Sequence, residues 1–113
     1  MVQRFSIECA QTETSCLLTL SGEIDIVSSP QLISAARQAL RDGVRALSIN
    51  LSTVTFMDST GLAALINIQR SVERARGRLV VVCPDGPVRR LFAISGTEYL
   101  LGVEPSRYSP AAA

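Results

Sequence analysis

The 113-residue sequence predicts a single α/β domain: a mixed, mostly parallel β-sheet opened by an N-terminal hairpin and packed against α-helices. Three observations predict it. The first two apolar runs alternate with a period of two and lie only a few polar residues apart. The later apolar runs switch in turn between strand-like and helix-like periods, the order expected of parallel strands joined by right-handed crossovers. A composition that is 47% hydrophobic and 19% charged suits one packed core rather than a disordered chain.

Phe5, Ile7 and Cys9 alternate with Ser6 and Glu8, and Cys16, Leu18 and Leu20 alternate with Leu17, Thr19 and Ser21. Folding the two runs about Thr12-Glu13 sets Cys9 opposite Cys16, Ile7 opposite Leu18 and Phe5 opposite Leu20. Turn and apolar face then agree on a hairpin in which Cys9 and Cys16 are cross-strand neighbours able to pair under oxidation. Thr-Glu is poor chemistry for a two-residue turn, which favours a longer loop. In "SGEIDIVSSPQL" the chain leaves the sheet for a helix. Ser28 or Ser29 is its N-cap, Pro30 fits the first turn, and Leu32, Ile33, Ala36, Ala39 and Leu40 form its apolar stripe before Gly43 stops it.

Leu47, Ile49 and Leu51 predict a third strand. The next helix begins after a corner at Asp58 and runs to about Arg76, with Gly77 as its stop. Leu79 to Cys83 is continuously apolar, as in a strand covered on both faces. "PDGPVRRLFAISG" reads as a turn and a short helix that buries Val88, Leu91 and Phe92, exposes Arg89 and Arg90, and ends at Gly96. Tyr99 to Val103 predicts a last short edge strand. The domain spans 4–104, and the Pro/Ser/Ala-rich segment 105–113 is expected to be a flexible tail.

Two absences narrow the chemistry. The chain has no histidine, and all 11 basic residues are arginine. That removes Ser-His-Asp and Ser-Lys activation, histidine metal sites, the phosphate-loop lysine and Schiff-base chemistry together. The three cysteines contain no C-x-x-C pair, so neither a zinc site nor any other cofactor is expected. A formal net charge of +1, with scattered charges, gives no footprint for nucleic acid. No apolar run approaches the roughly 20 residues of a membrane span, and no export signal is legible at the start, so a cytoplasmic protein without membrane insertion is expected. A protein that does no catalysis of its own, but serves as another enzyme's substrate, is the consistent reading.

The corner itself reads "TFMDSTGLAALINI". A helix N-terminus has free N–H groups and a positive dipole end, so Asp58 suffices as N-cap and Gly61 as a small residue close to the sheet. Capping does not need Ser59 and Thr60 as well. The two turns that follow are apolar almost all round: Leu62, Ala63, Ala64, Leu65, Ile66 and Ile68. A helix lying on a sheet covers only part of such a surface, and the remainder points to a partner.

"VTFMDSTGLAAL" resembles the signature of STAS domains, the fold of bacterial anti-sigma factor antagonists. "LSGEIDIVSSPQL" resembles that family's second motif and "RRLFAISG" the segment that introduces its third helix, in family order and at family spacing over residues 5 to 103. The resemblance implies a partner that is an anti-sigma factor and an ATP-dependent serine kinase. It implies phosphorylation at Ser59, directly after the acidic Asp58, with Thr60 the weaker alternative. Asp25 matches the acidic residue on the neighbouring loop. The docking surface it implies comprises Asp25, Asp58, Ser59, Thr60, Gly61, Leu62, Ala63 and Ile66. A PP2C-type phosphatase and weak homodimerisation are further expectations. The competing reading is a non-switching STAS subunit that docks on an ATPase of a lipid-transport or signalling complex. The resemblance weakens at the end, where "GTEYLLGVEPSRYSPAAA" stands in place of a closing amphipathic helix.

Overall fold

The computed structural model describes residues 4–104. The two strands of the opening hairpin are β1 (Ser6–Gln11) and β2 (Ser15–Ile24). They are followed by α1 (Ser29–Arg41), β3 (Ala46–Met57), α2 (Ser59–Arg74), β4 (Arg78–Val82), α3 (Pro87–Ser95), α4 (Glu98–Leu101) and β5 (Val103–Glu104). The strands lie in chain order, β1-β2-β3-β4-β5, in one five-stranded sheet. β1 runs antiparallel to β2 and every later pair is parallel. This is the predicted mixed sheet. The predicted tail, 105–113, lies outside the described residues.

Alternation decides which face of each strand meets the helices. Cys16, Leu18, Leu20 and Ile24 of β2 are buried while Leu17, Thr19 and Glu23 between them are only half-buried. Against the buried face lie Leu32, Ala36 and Ala39 of α1, and Leu65, Ile68 and Val72 of α2. Phe92 of α3 and Leu101 of α4 are also fully enclosed. Fully burying one such aliphatic side chain is worth about 1.5–3 kcal/mol, so this single cluster is the chief source of stability.

Four expectations are corrected. The hairpin turns at Glu13-Thr14 rather than Thr12-Glu13, closed by Thr12 N–H donating to Ser15 O at 2.8 Å. Thr12 Oγ1 also accepts from Ser15 N–H at 3.1 Å, a side-chain lock that the strand pattern alone does not reveal. The register therefore slides by two: Cys9 faces Leu18, Ile7 faces Leu20 and Cys16 faces Gln11. Because the slide is an even number of residues, every side chain keeps its face.

The expected strand at Tyr99–Val103 is mostly the helical turn α4, leaving only Val103 and Glu104 to pair with β4. Burying Leu101 while Tyr99 stands in solvent needs one turn of helix, and left-handed Gly102 then returns the chain to the sheet. Arg89 is not a free surface charge. Its guanidinium donates to Glu98 at 2.7 Å and to the Cys83 carbonyl at 2.8 Å, tying α3 to α4 and to the end of β4. At the end of α2, the left-handed residue is Arg76, one position before the expected Gly77.

Candidate functional site

β2 and β3 end side by side, with Ile24 paired to Met57. Each strand then turns directly into a helix, so the β2–α1 and β3–α2 corners are neighbours. Asp58 N–H donates to Ile24 O at 3.3 Å and joins the two corners. Gly61 makes their closeness possible. A Cβ there would fall 2.7 Å from Met57 Cγ and 2.9 Å from Ile24 Cγ2, so any other residue would push the two corners apart.

Within the second corner the roles separate. Asp58 is the N-cap: its Oδ1 accepts from Thr60 N–H at 2.9 Å and Gly61 N–H at 3.1 Å. Ser59 is the first residue of α2 and is exposed. Its hydroxyl has no hydrogen-bond partner among the described residues. Thr60 is half-buried and lines a groove between the helices. A hydroxyl that does no structural work, open to solvent at a positive helix end, can accept a charged group without dismantling the fold.

In the first corner Asp25 organises its own loop. Its Oδ1 accepts from Val27 N–H at 3.0 Å and Ser28 N–H at 3.1 Å. The Ser28 and Val27 backbone N–H groups hold the carboxyl below the usual carboxylate range, Ser28 the more strongly. Ser28 is the N-cap residue of α1, as expected, but its hydroxyl makes no capping bond and donates back to Glu23 O at 2.8 Å. The result is a tight loop that thrusts Ile26 and Val27 into solvent, 73% and 75% exposed.

Those two residues are the ones sequence reasoning passed over. The available signal was a pair of β-branched apolar residues in a turn, where neither strand nor helix period explains them. They add to the apolar surface. Leu62 and Ile66 of α2, expected at the docking face, are half-buried against the core, and Ala63 is exposed. Between α1 and α2 lies a groove of about 300 Å³ lined by Ile26, Pro30, Ile33, Thr60 and Ala63. Ser29 also lines it, and Ser29 Oγ is buried there without a hydrogen-bond partner. Among the described residues, no cluster of acidic, histidine or cysteine side chains could hold a metal ion, and no helix is long and apolar enough to cross a membrane.

The arrangement has counterparts among known proteins. The anti-sigma-B factor antagonist of Staphylococcus aureus (strain NCTC 8325 / PS 47) is 28% identical over 98 residues, covering 87% of this chain and 91% of that protein. An anti-sigma factor antagonist from Mycobacterium paratuberculosis superposes with a TM-score of 0.81 at 27% identity, over 92% of this chain and 88% of that one. The antagonist SpoIIAA in its unphosphorylated form gives 0.77 at 26% identity, over 96% and 91%. The STAS domain family matches residues 6–109, nearly the whole sequence. Sheet order, paired corners and motif match together place this chain in the STAS domain family.

Proposed function

We propose that this protein is an anti-sigma factor antagonist that docks on its anti-sigma factor through the paired corners and is released when Ser59 is phosphorylated. The observation that carries the reading is the division of labour at the α2 N-terminus. Asp58 satisfies the backbone N–H groups, which leaves Ser59 exposed and unengaged, at a corner adjoining the loop that exposes Ile26 and Val27. The named relatives are antagonists, which supports the partner class. The chain acts as a substrate: a kinase transfers the γ-phosphoryl group of ATP to Ser59 Oγ, the bond from the γ-phosphorus to the β–γ bridging oxygen breaks, and ADP and the hydroxyl proton leave.

Electrostatics supplies the switch. A phosphoserine carries about −1.5 to −2 charges at neutral pH. A partner carboxylate or nucleotide phosphate ~5 Å away is then opposed by roughly 3 kcal/mol per unit charge at an effective dielectric of ~20. Since 1.4 kcal/mol is about tenfold in affinity, one such contact gives at least a hundredfold release. In the free state Ser59 directly follows the Asp58 carboxylate, and the helix dipole offsets part of the added repulsion.

The test uses the cognate anti-sigma factor with ATP. Intact-mass spectrometry is expected to show one phosphoryl group, absent in Ser59→Ala and retained in Thr60→Ala. Ser59→Asp is expected to weaken binding by about a hundredfold while the melting temperature moves little, because the site is exposed. Phosphorylation that persists in Ser59→Ala, or tight binding by Ser59→Asp, overturns the reading.

A further inference from the structure

The opening hairpin brings two thiols together without any part in docking. Cys9 Sγ and Cys16 Sγ are 3.4 Å apart. The register explains why. Cys9 pairs with Leu18 and Cys16 with Gln11, so the cysteines are diagonal neighbours on the core-facing side of the hairpin. β1 is the edge of the sheet, held by β2 alone, and can move toward its neighbour. Cys9 is exposed, whereas Cys16 is 2% exposed.

We propose that Cys9 and Cys16 form a reversible oxidation site, at which a hydroperoxide converts the two thiols into a disulfide that clips the edge strand β1 to β2. The exposed Cys9 sulfur reacts first. It attacks the peroxide, an S–O bond forms as the O–O bond breaks, and Cys9 becomes a sulfenic acid while the peroxide leaves as an alcohol or water. Cys16 then attacks the oxidised sulfur. The S–S bond forms, the S–O bond breaks, and the Cys16 proton departs with the hydroxyl group as water. Two electrons pass from the thiol pair to one peroxide, and no other reactant is needed.

The environments set this order. Burial, with the neighbouring Cys9 next, pushes the Cys16 thiol up to about 12, so it stays protonated and the exposed Cys9 meets the peroxide first. The sulfur atoms must close from 3.4 Å to a bond of about 2.05 Å, and the edge strand supplies that movement. A diagonal pair spans more than a relaxed disulfide prefers, which places the bond in the readily reduced class. Cys83 is buried in β4's exit with its sulfur against the Pro84 carbonyl, and serves as the internal control. This site lies at the far end of β2 from Asp25 and does not depend on the antagonist reading.

The experiment treats the full chain with stoichiometric hydrogen peroxide, unfolds it, alkylates free thiols and digests it after glutamate. Cleavage after Glu8, Glu13 and Glu23 puts Cys9 and Cys16 in separate peptides, so only a disulfide can join them. The expected product is a monomer lighter by about 2 Da, with Cys83 alone alkylated, restored by dithiothreitol. Cys9→Ser, a change at an exposed position, abolishes the linked peptides. A Cys9–Cys9 dimer, a sulfinic acid at Cys9 with Cys16 still free, or three alkylated cysteines after treatment each overturns the proposal.

Discussion

Asp58 and Ser59 are adjacent, yet the structure gives them opposite roles. Asp58 Oδ1 holds two backbone N–H groups at the start of α2, and truncating such a cap costs about 1 kcal/mol. For a domain near 100 residues, that shifts the melting temperature by about 4–8 °C. Asp58→Ala is therefore expected to melt about 5 °C lower. Ser59→Ala, which removes no hydrogen bond, is expected to stay within about 0.5 kcal/mol of the parent. Calorimetry on the two variants checks the contrast. Equal losses would make both residues structural.

The Asp25 carboxylate adds a pH signature. Its acidity is raised in the fold by the Ser28 and Val27 N–H groups, so its contribution to stability is fully present above its ordinary value of 3.8. That contribution fades as pH falls through the lower folded value. The Val27 and Ser28 amide resonances are expected to titrate together below 3.8, and Asp25→Asn to abolish the transition.

At the scale of elements, the β2–α1 loop adds an exposed apolar surface to the one expected on α2. Leu62 and Ile66 of α2 pack on the core yet stay half-buried, so Ile26, Val27 and Ala63 widen the proposed contact surface rather than replace it. Ile26→Asp with Val27→Asp is expected to reduce anti-sigma factor binding by more than tenfold. Stability should hardly change, because both side chains are already in water and burying them is worth about 1.5–3 kcal/mol each only when docked. Titration calorimetry against the partner, with a thermal melt of the free variant, checks both halves.

The same scale shows what periodicity could reach. Strand alternation carried the faces of β1, β2 and β3, and the Asp-Ser-Thr-Gly corner was legible because capping preferences are local. The hairpin register was not, since a Thr12 side-chain bond to Ser15 selects the turn. Nor was α4, where Leu101 burial and the Arg89–Glu98 pair override a run that reads as strand. Arg89 shows the limit most plainly: an arginine on a helix face looks solvated until the fold brings Glu98 and the Cys83 carbonyl to it.

Across the whole molecule, the parallel β2–β3 pair sets how far the effect of a charge at Ser59 extends. Both corners sit at the C-terminal ends of these strands, while the Glu13-Thr14 turn and the thiol pair lie at the other end of β2. From Cys16 to Ile24 the strand runs about 25 Å at ~3.3 Å per residue, against a screening length near 8 Å at physiological salt. Neither Coulomb interaction nor a hinge links the two ends, because the enclosed cluster of Leu18, Leu20, Ile49 and Leu65 between them is rigidly packed. The proposed release on phosphorylation is then expected to be a local event at the interface rather than a change of fold. Amide shifts on phosphorylation are expected to concentrate in residues 24–29 and 57–66, with Gln11 to Ser15 unmoved. Large shifts in the hairpin would require a second conformation of the sheet, and release would then have to be explained by a population shift rather than by charge at the corner.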